Sequence, residues 1–429
     1  MRLSLLLNLL PLVLASPTPA QVPFLGSPSA SIVSDLGLPT SLSAALTAQL
    51  AELPLDHLVR LQDHVAHWDE PRTVRLRAHD GQPGLDLAVT EGHKALLTLA
   101  GIRFVDTTHD IDSAIESDSK PKYPSHLAHN ATTVAPYFGT ISLPRMTQFL
   151  TDFTRFKTRY YRSSTGRESQ LFLLNHLKHL HKSLNPKAKV TFTEFDHEWT
   201  QKSIIVRWEP THKGFDDDVV ILSAHQDSTN SLPFLPAPGA DDDASGTVTL
   251  VETFTSLLTH TFAPVSHPVE FHFYSAEEGG LLGSGDIARS YRAQSRSVKS
   301  MFHMDVVAYV KPNTEPVIGM ITDGTNHDLV EFMKLLVNEY ATIPYAETQC
   351  GYGCSDFASF TKNGYPSACL AEGKFADSNP FMHSMKDRID AEGYSLGHIR
   401  EYIRVSIGYV IELTSGDKSS IEKGKWRME

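Results

Sequence analysis

Apolar residues recur at two spacings along most of the chain, and these spacings predict an α/β fold. Short runs rich in β-branched residues predict strands, whereas apolar residues three and four positions apart predict helices. Strands that alternate with helices indicate crossover connections, which cover both faces of a mainly parallel sheet. We therefore expect a three-layer α/β/α sandwich with a mainly parallel mixed central sheet. Strands are predicted at 189–195, 203–208, 219–223, 269–274, 301–306 and 317–321, and helices at 147–161, 168–184, 244–258, 281–293, 328–340 and 396–413.

The N-terminus has a pattern of its own. Arg2 precedes the apolar run Leu3–Ala15, which ends in a small residue. A basic start, an apolar centre and a small-residue end are typical of a secretory signal peptide, and the run is shorter than the roughly 20 apolar residues that cross a membrane. A buried N-terminal helix is the alternative. We expect residues 1–15 to be a signal peptide and the product to be secreted and extracellular.

Residues 16–119 form a separate segment, in which leucines recur at helical spacing between 42 and 65. The polar stretch 106–124 that follows predicts an exposed linker. In a secreted chain, an acidic and separable first module indicates a pro-segment that is removed on activation. We therefore predict a small, mostly helical pro-segment over 16–119 and a catalytic domain over 120–429. A permanent N-terminal domain is the alternative.

Composition narrows the class of protein. The 429 residues are 41% hydrophobic and 21% charged, which is ordinary for globular domains. The net charge of −12 argues against a basic surface for nucleic acid or anionic membranes. Three cysteines are too few for a disulfide scaffold. We expect no nucleic-acid partner, no membrane association and a monomer.

Histidine and acidic residues follow several of the predicted strands. His225 and Asp227 come directly after strand 219–223, and alternate residues of an extended segment point to the same side. The imidazole could then bind a metal while a carboxylate orients it, although an isolated pair of this kind is more often a loop hydrogen bond. The acidic triplet 241–243 precedes the predicted helix 244–258. A solvated acidic turn is the default for a triplet, because burying it without a cation is costly.

Three further strand ends and loops carry the same residue types. Glu277 and Glu278 follow strand 269–274 and precede two glycines, so one could bind a cation while the other handles protons. Asp305 lies in an apolar strand, where an unpaired carboxylate is costly. His383 lies in a late loop. Together, two imidazoles and several carboxylates form a ligand set that suits two Zn²⁺ ions.

These residues resemble the secreted two-zinc leucine aminopeptidases of fungi and bacteria. The resemblance covers the chain from about Pro144 to the end. It is carried by Ser-Ala-His-Gln-Asp-Ser, Pro-Gly-Ala-Asp-Asp-Asp-Ala-Ser-Gly, Ser-Ala-Glu-Glu-Gly-Gly, Cys-Gly-Tyr-Gly-Cys-Ser-Asp and the late histidine, in that order. It implies an aminopeptidase that releases N-terminal leucine and other apolar residues from peptides with a free N-terminus, by water activated between two metals.

The resemblance also implies a role for each residue. Asp242 would bridge both Zn²⁺ ions, with His225 and Asp305 completing one site and Glu278 and His383 completing the other. Glu277 would be the general base, Asp227 would orient His225, and Tyr352 would donate to the developing oxyanion.

Cysteines and one sequon complete the set of candidates. Cys350 and Cys354 are expected to form a short-loop disulfide in an oxidising compartment, with a zinc site as the alternative, and Cys369 to remain a buried free thiol. Asn130 begins an Asn-x-Thr sequon, so we predict a glycan there. Phe357 follows Asp356 where the relatives are expected to carry histidine, which leaves the metal ligands intact but bears on the preferred first residue.

Two classes of alternative function remain at this point. Another hydrolase on the same scaffold, such as a carboxypeptidase or a glutaminyl cyclase, would use similar ligands. A carboxypeptidase should also supply basic side chains for the substrate carboxylate, and no arginine pair adjoins the motifs. A non-catalytic binding ectodomain is the other alternative, but loss of activity normally erases ligands or base, and all six residues are present.

Overall fold

The structure, a computed structural model, describes residues 69–76, 85–99, 101–110, 122–211 and 218–415. The chain divides into two compact units between His109 and Asp110. The predicted signal peptide 1–15, the helical pattern at 42–65 and the predicted boundary at 119 lie outside the described residues. These three expectations therefore remain predictions.

The described part of the first unit is a small antiparallel sheet with one helix. Strand β1 (Pro71–Leu76) lies between β2 (Asp86–Thr90) and β3 (Phe104–Asp106), and α1 (Glu91–Leu99) follows β2. The strands were not predicted from the sequence, because each is short and at most two residues of each are buried.

A buried ion cluster helps to hold this first unit together. The Lys94 ammonium is 3% exposed and lies 2.6 Å from the Asp106 carboxylate and 3.3 Å from that of Glu91. Burial alone would raise the pKa of Asp106, but the charge and hydrogen bond of Lys94 hold it below its ordinary value. Such a cluster stabilises the fold only while every buried charge keeps its partner.

The second unit is built on one mixed sheet of eight strands. They are β4 (Val190–Phe195), β5 (Ser203–Trp208), β6 (Val219–His225), β7 (Val269–Tyr274), β8 (Val298–Met304), β9 (Ile318–Ile321), β10 (Tyr345–Thr348) and β11 (Ser367–Ala371). The order across the sheet is β10-β9-β11-β8-β6-β7-β5-β4. The four central strands β11, β8, β6 and β7 are parallel, whereas β9 and β5 run antiparallel to their central neighbours. The predicted mainly parallel mixed sheet is therefore confirmed.

Helices pack on both faces of this sheet. They are α2 (Ala131–Phe138), α3 (Leu143–Thr154), α4 (Ser164–Leu184), α5 (Ala244–Thr259), α6 (Leu282–Ala293), α7 (His327–Tyr340), α8 (Phe357–Lys362) and α9 (Leu396–Thr414), with a 3₁₀ turn at Phe375–Asp377. Alternate residues of β6 enter two separate cores: Val220 and Leu222 face one, and Val219 and Ile221 face the other. A strand buried on both faces is what a three-layer sandwich requires, so the predicted architecture is confirmed.

The predicted elements correspond to observed ones, with differences at their ends. Strands β5 and β7 have the predicted bounds, whereas strand β8 begins earlier than predicted and ends at Met304, before Asp305. The sequence did not predict β10, β11, α2 or α8, which are all eight residues or shorter. Among the described residues, no helix is both long and apolar enough to cross a membrane.

Candidate metal centre

The candidate ligands meet at the carboxyl ends of three central strands. His225 is the last residue of β6, Glu278 follows β7, and Asp305 is the first residue after β8. Since β7, β6 and β8 are adjacent and parallel, their carboxyl ends lie side by side, which is where ligands bind in open α/β sheets. Asp242 arrives from the turn before α5, and His383 from a loop before α9.

The first cluster brings His225, Asp242 and Asp305 together. The His225 Nε2 atom lies 3.2 Å from Asp242 Oδ1 and 3.3 Å from Asp305 Oδ1. The His225 side chain has no exposed surface, and that of Asp305 keeps 16%. One imidazole nitrogen therefore faces two carboxylate oxygens at the carboxyl end of the sheet.

The second cluster repeats this arrangement with the other oxygen of Asp242. The His383 Nε2 atom lies 3.1 Å from Asp242 Oδ2 and 2.8 Å from Glu278 Oε2. In each cluster the three potential ligand atoms lie within 4.8 Å of one another. The five candidate ligands thus form two triads that share Asp242, with one carboxylate oxygen in each.

Both triads fit divalent cations. One imidazole and two carboxylates per site give three protein ligands, the number typical of a catalytic zinc site. The Glu278 Oε1 atom is buried and has no hydrogen-bond partner among the described residues, which is unusual for a charged oxygen unless a cation lies beside it. The alternative of a solvated acidic turn does not hold for residues 241–243, since Asp242, the most exposed of them, is only 6% exposed.

Without cations, a proton on an imidazole is needed to offset the negative charge of the buried carboxylates. Burial alone would lower the pKa of the His225 imidazole, but the charge of Asp305 and hydrogen bonds to acidic neighbours raise it well above its ordinary value. Burial opposes ionisation of Asp242, yet hydrogen bonds from His225 and His383 hold the pKa of its carboxyl far below its ordinary value. Cation binding would displace the imidazole proton, so it should weaken as the pH falls.

Glu277 lies half-buried beside the second triad, next in the chain to Glu278. Burial, with the negative charges of Asp305 and Glu278, raises the pKa of its carboxyl well above the ordinary value. Two cations nearby would oppose this shift, because positive charge favours the carboxylate. Because these opposing effects act on the pKa of Glu277, its carboxyl group suits proton transfer.

The contacts of Asp227 extend beyond the predicted one with His225. Its carboxylate oxygens accept hydrogen bonds from the main-chain N–H groups of Glu277 and Glu278, at 3.2 and 3.3 Å. The His225 Nδ1 atom lies 3.2 Å from the Asp227 main-chain carbonyl and 3.5 Å from its carboxylate. The Asp227 carboxylate therefore fixes the turn that carries the glutamate pair, and the closer contact of His225 is with the main chain.

Two buried carboxylates that the sequence analysis did not assign hold the ligand turns. Asp243 caps α5 through the Gly246 N–H at 2.8 Å and also accepts from the His225 N–H at 3.2 Å. Asp387 accepts from the N–H groups of Asp241 and Asp242, both at 3.0 Å. Its place four residues after His383 was the only signal in the sequence.

The cysteine loop has the predicted disulfide. Cys350 and Cys354 are bonded, with their Cα atoms 6.0 Å apart, so the zinc-site alternative does not apply. The Asp323 carboxylate accepts from the N–H groups of Cys350 and Gly351, at 3.0 and 2.7 Å. Tyr352, in this loop, packs against the core that contains α6 and α8.

The remaining predicted residues are Cys369 and Asn130. Cys369 is a free and buried thiol, as predicted. Asn130 is exposed and caps α2, since its Oδ1 atom accepts from the Thr133 N–H at 2.9 Å. Asn130 therefore has the surface position that a glycan requires, and its glycosylation stays a prediction.

Comparison with known proteins gives consistent matches. Residues 203–407 match the model of a family described as Peptidase family M28. The chain is 39% identical over 387 residues to leucine aminopeptidase 1 of Leptosphaeria maculans, covering 86% of this chain and 96% of that protein. It is also 39% identical over 343 residues to a probable aminopeptidase of Saccharomyces cerevisiae, covering 77% and 90%.

Solved structures match the fold. The Legionella pneumophila LapA aminopeptidase superposes with a TM-score of 0.71 over 81% of this chain and 99% of that one, at 22% identity. A glutaminyl cyclase of Porphyromonas gingivalis superposes with a TM-score of 0.52 over 64% and 99%, at 16% identity. Because enzymes with two different reactions match, the fold alone does not select the reaction.

Proposed function

Since the chain belongs to peptidase family M28, with the fungal leucine aminopeptidases and their bacterial relatives, we propose that it is a two-zinc aminopeptidase that releases leucine and other apolar residues from free peptide N-termini. Enzymes of this group are hydrolases that act as exopeptidases. The observation that carries the proposal is Asp242, whose two carboxylate oxygens each face a different imidazole. With only one cation, one of these oxygens and one histidine would not be metal ligands.

The proposed roles follow from the contacts around the two triads. His225, Asp242 and Asp305 would hold one Zn²⁺ ion, and Asp242, Glu278 and His383 the other. When bound, the two ions would supply Lewis acidity, which polarises a carbonyl and lowers the pKa of water. Asp227 would keep the glutamate turn in place, through its hydrogen bonds to the N–H groups of both residues.

Glu277 is the proposed general base. Its carboxylate would accept the proton of the attacking water and return it to the leaving amine, a transfer that requires hydrogen-bond reach to both. Tyr352 would donate a hydrogen bond to the developing oxyanion. The support for Tyr352 is the resemblance of its Cys-Gly-Tyr-Gly-Cys loop and the double anchoring of that loop on Asp323.

Hydrolysis of blocked and free leucyl peptides tests the proposed reaction. We expect the purified protein to hold two zinc ions per chain and to cleave leucyl peptides, whereas N-acetyl-leucyl peptides should stay intact. Chelation should remove both the metal and the activity, and Zn²⁺ should restore both. Equal cleavage of the two peptides would indicate an endopeptidase, and cyclisation of N-terminal glutaminyl peptides without leucine release would indicate a glutaminyl cyclase.

We also propose that the enzyme is secreted and is activated by removal of residues 16–119. The support is the apolar N-terminal run, the separable first unit and the polar linker between the units. The full-length chain without its signal peptide should hydrolyse leucyl peptides at least tenfold more slowly than the chain that begins near Lys120. A tenfold difference in rate corresponds to about 1.4 kcal/mol in activation free energy. Equal rates for the two forms would refute inhibition by the segment.

A further inference from the structure

Arg159 lies behind the candidate metal centre and has no role in the mechanism above. The residue is fully buried, and buried charges are rare without a partner. Burial lowers the pKa of its guanidinium to about 10, while the charges of nearby Asp387, Asp227, Asp242 and Asp243 oppose the shift. The side chain therefore remains a cation at neutral pH.

The guanidinium donates to main-chain carbonyl oxygens of two separate turns. Its Nε atom donates to the carbonyl of Gln226 at 2.9 Å, between His225 and Asp227 in the chain. Its two terminal nitrogens donate to the carbonyls of Pro238 and Gly239, the latter at 2.8 Å. One planar group thus joins the turn that carries His225 to the turn that leads into Asp242.

Arg159 is itself held firmly. Its main-chain N–H donates to Ser228 Oγ at 3.1 Å, and that hydroxyl donates to the carbonyl of Ala237 at 2.8 Å. The guanidinium carbon lies 4.5 Å from the centre of the Phe153 ring, a cation–π distance. The arginine therefore has little freedom to follow either turn if that turn moves.

Gly239 shows how closely the two turns approach at this point. Its φ is +52°, and an added Cβ atom would lie 2.9 Å from a terminal nitrogen of Arg159 and 2.5 Å from the Ser228 Cβ atom. A side chain here would push the turns apart as well as strain the backbone. The backbone of this turn thus fits around the guanidinium.

We propose that Arg159 is a positioning residue of the metal centre, which sets the distance between His225 and Asp242 before a cation binds. The inference rests on the proposed two-zinc function. Two of the three ligands in the His225, Asp242 and Asp305 site belong to the joined turns, whereas only one ligand of the Asp242, Glu278 and His383 site does. Loss of the bridge should therefore weaken the first site more than the second.

Zinc titration of the metal-free protein tests this inference. Arg159→Lys keeps the charge but cannot donate in three directions, and Arg159→Met removes the charge. We expect one of the two zinc sites to weaken about 10- to 100-fold in both variants, which is typical for residues that orient ligands, and the other to change less than about threefold. Arg155→Lys is the matched control, since Arg155 is 68% exposed. The zinc affinities of both sites should stay unchanged in this variant.

Thermal unfolding with and without zinc separates positioning from simple support of the fold. A support role would lower the melting temperature equally in both states, because zinc affinity would be unaltered. A positioning role predicts a larger loss in the zinc-loaded state, since ligand binding stabilises in proportion to affinity. If Arg159→Met does not fold, Arg159→Lys decides the question.

Each outcome has a distinct meaning. Unchanged zinc affinities in folded Arg159→Lys would overturn the inference, and so would equal weakening of both sites. Failure of the wild-type protein to bind two zinc ions would instead overturn the proposed function, independently of any result on the variants.

Discussion

Glu277→Ala is expected to abolish turnover of leucyl peptides while two zinc ions stay bound. The Glu277 carboxylate belongs to neither triad, so both ligand sets remain complete in the variant. Without it, no carboxylate at this position can take the proton of the attacking water. General base catalysis typically contributes about 10²- to 10⁴-fold, so kcat should fall by roughly three orders of magnitude with little change in KM. Steady-state kinetics and metal analysis on the same preparation check this.

Glu278→Ala is the matched control, because it removes the neighbouring carboxylate on the same turn. Here the Asp242, Glu278 and His383 site loses a ligand, so activity should fall together with the zinc content. Zinc loss from Glu277→Ala would instead make Glu277 a ligand. Substantial activity in zinc-loaded Glu277→Ala would mean that another group is the base.

The central part of the fold could be predicted because its sequence signals are local. Strands β5 and β7 are rich in β-branched and aromatic residues, and their observed bounds are the predicted ones. Strand β11, Ser-Ala-Cys-Leu-Ala, has no β-branched residue, so its own sequence gave little sign of a strand. Its pairing with β8 and β9 depends on partners that are distant in the chain.

The metal centre could be predicted for a similar reason. His225, Glu278 and Asp305 lie at ends of strands, and parallel neighbours bring such ends together. His383 is different, because its loop is turned by a backbone φ of 55° and its carbonyl accepts from the Ser231 N–H at 3.0 Å. Only the resemblance to known enzymes linked it to the other ligands.

Arg159 could not be found from sequence by either route. Its hydrogen-bond partners lie 67 and 80 positions further along the chain, and they are main-chain carbonyls, which any residue possesses. No pattern of residue types records such a contact. Asp227 illustrates a milder case: His-x-Asp indicated the contact of its carboxylate with His225, at 3.5 Å, but not its hydrogen bonds to the N–H groups of Glu277 and Glu278.

Asp242→Ala is expected to lose both zinc ions at once. Each triad would keep only one imidazole and one carboxylate, a donor set with much weaker affinity than three ligands. Zinc content after dialysis should fall from two ions to none, and turnover should become undetectable. His383→Ala is the control that removes a ligand from one triad only, so it should retain one ion beside His225 and Asp305. Zinc should then raise the melting temperature of His383→Ala but not of Asp242→Ala; two ions bound to Asp242→Ala would show that the carboxylate does not bridge the sites.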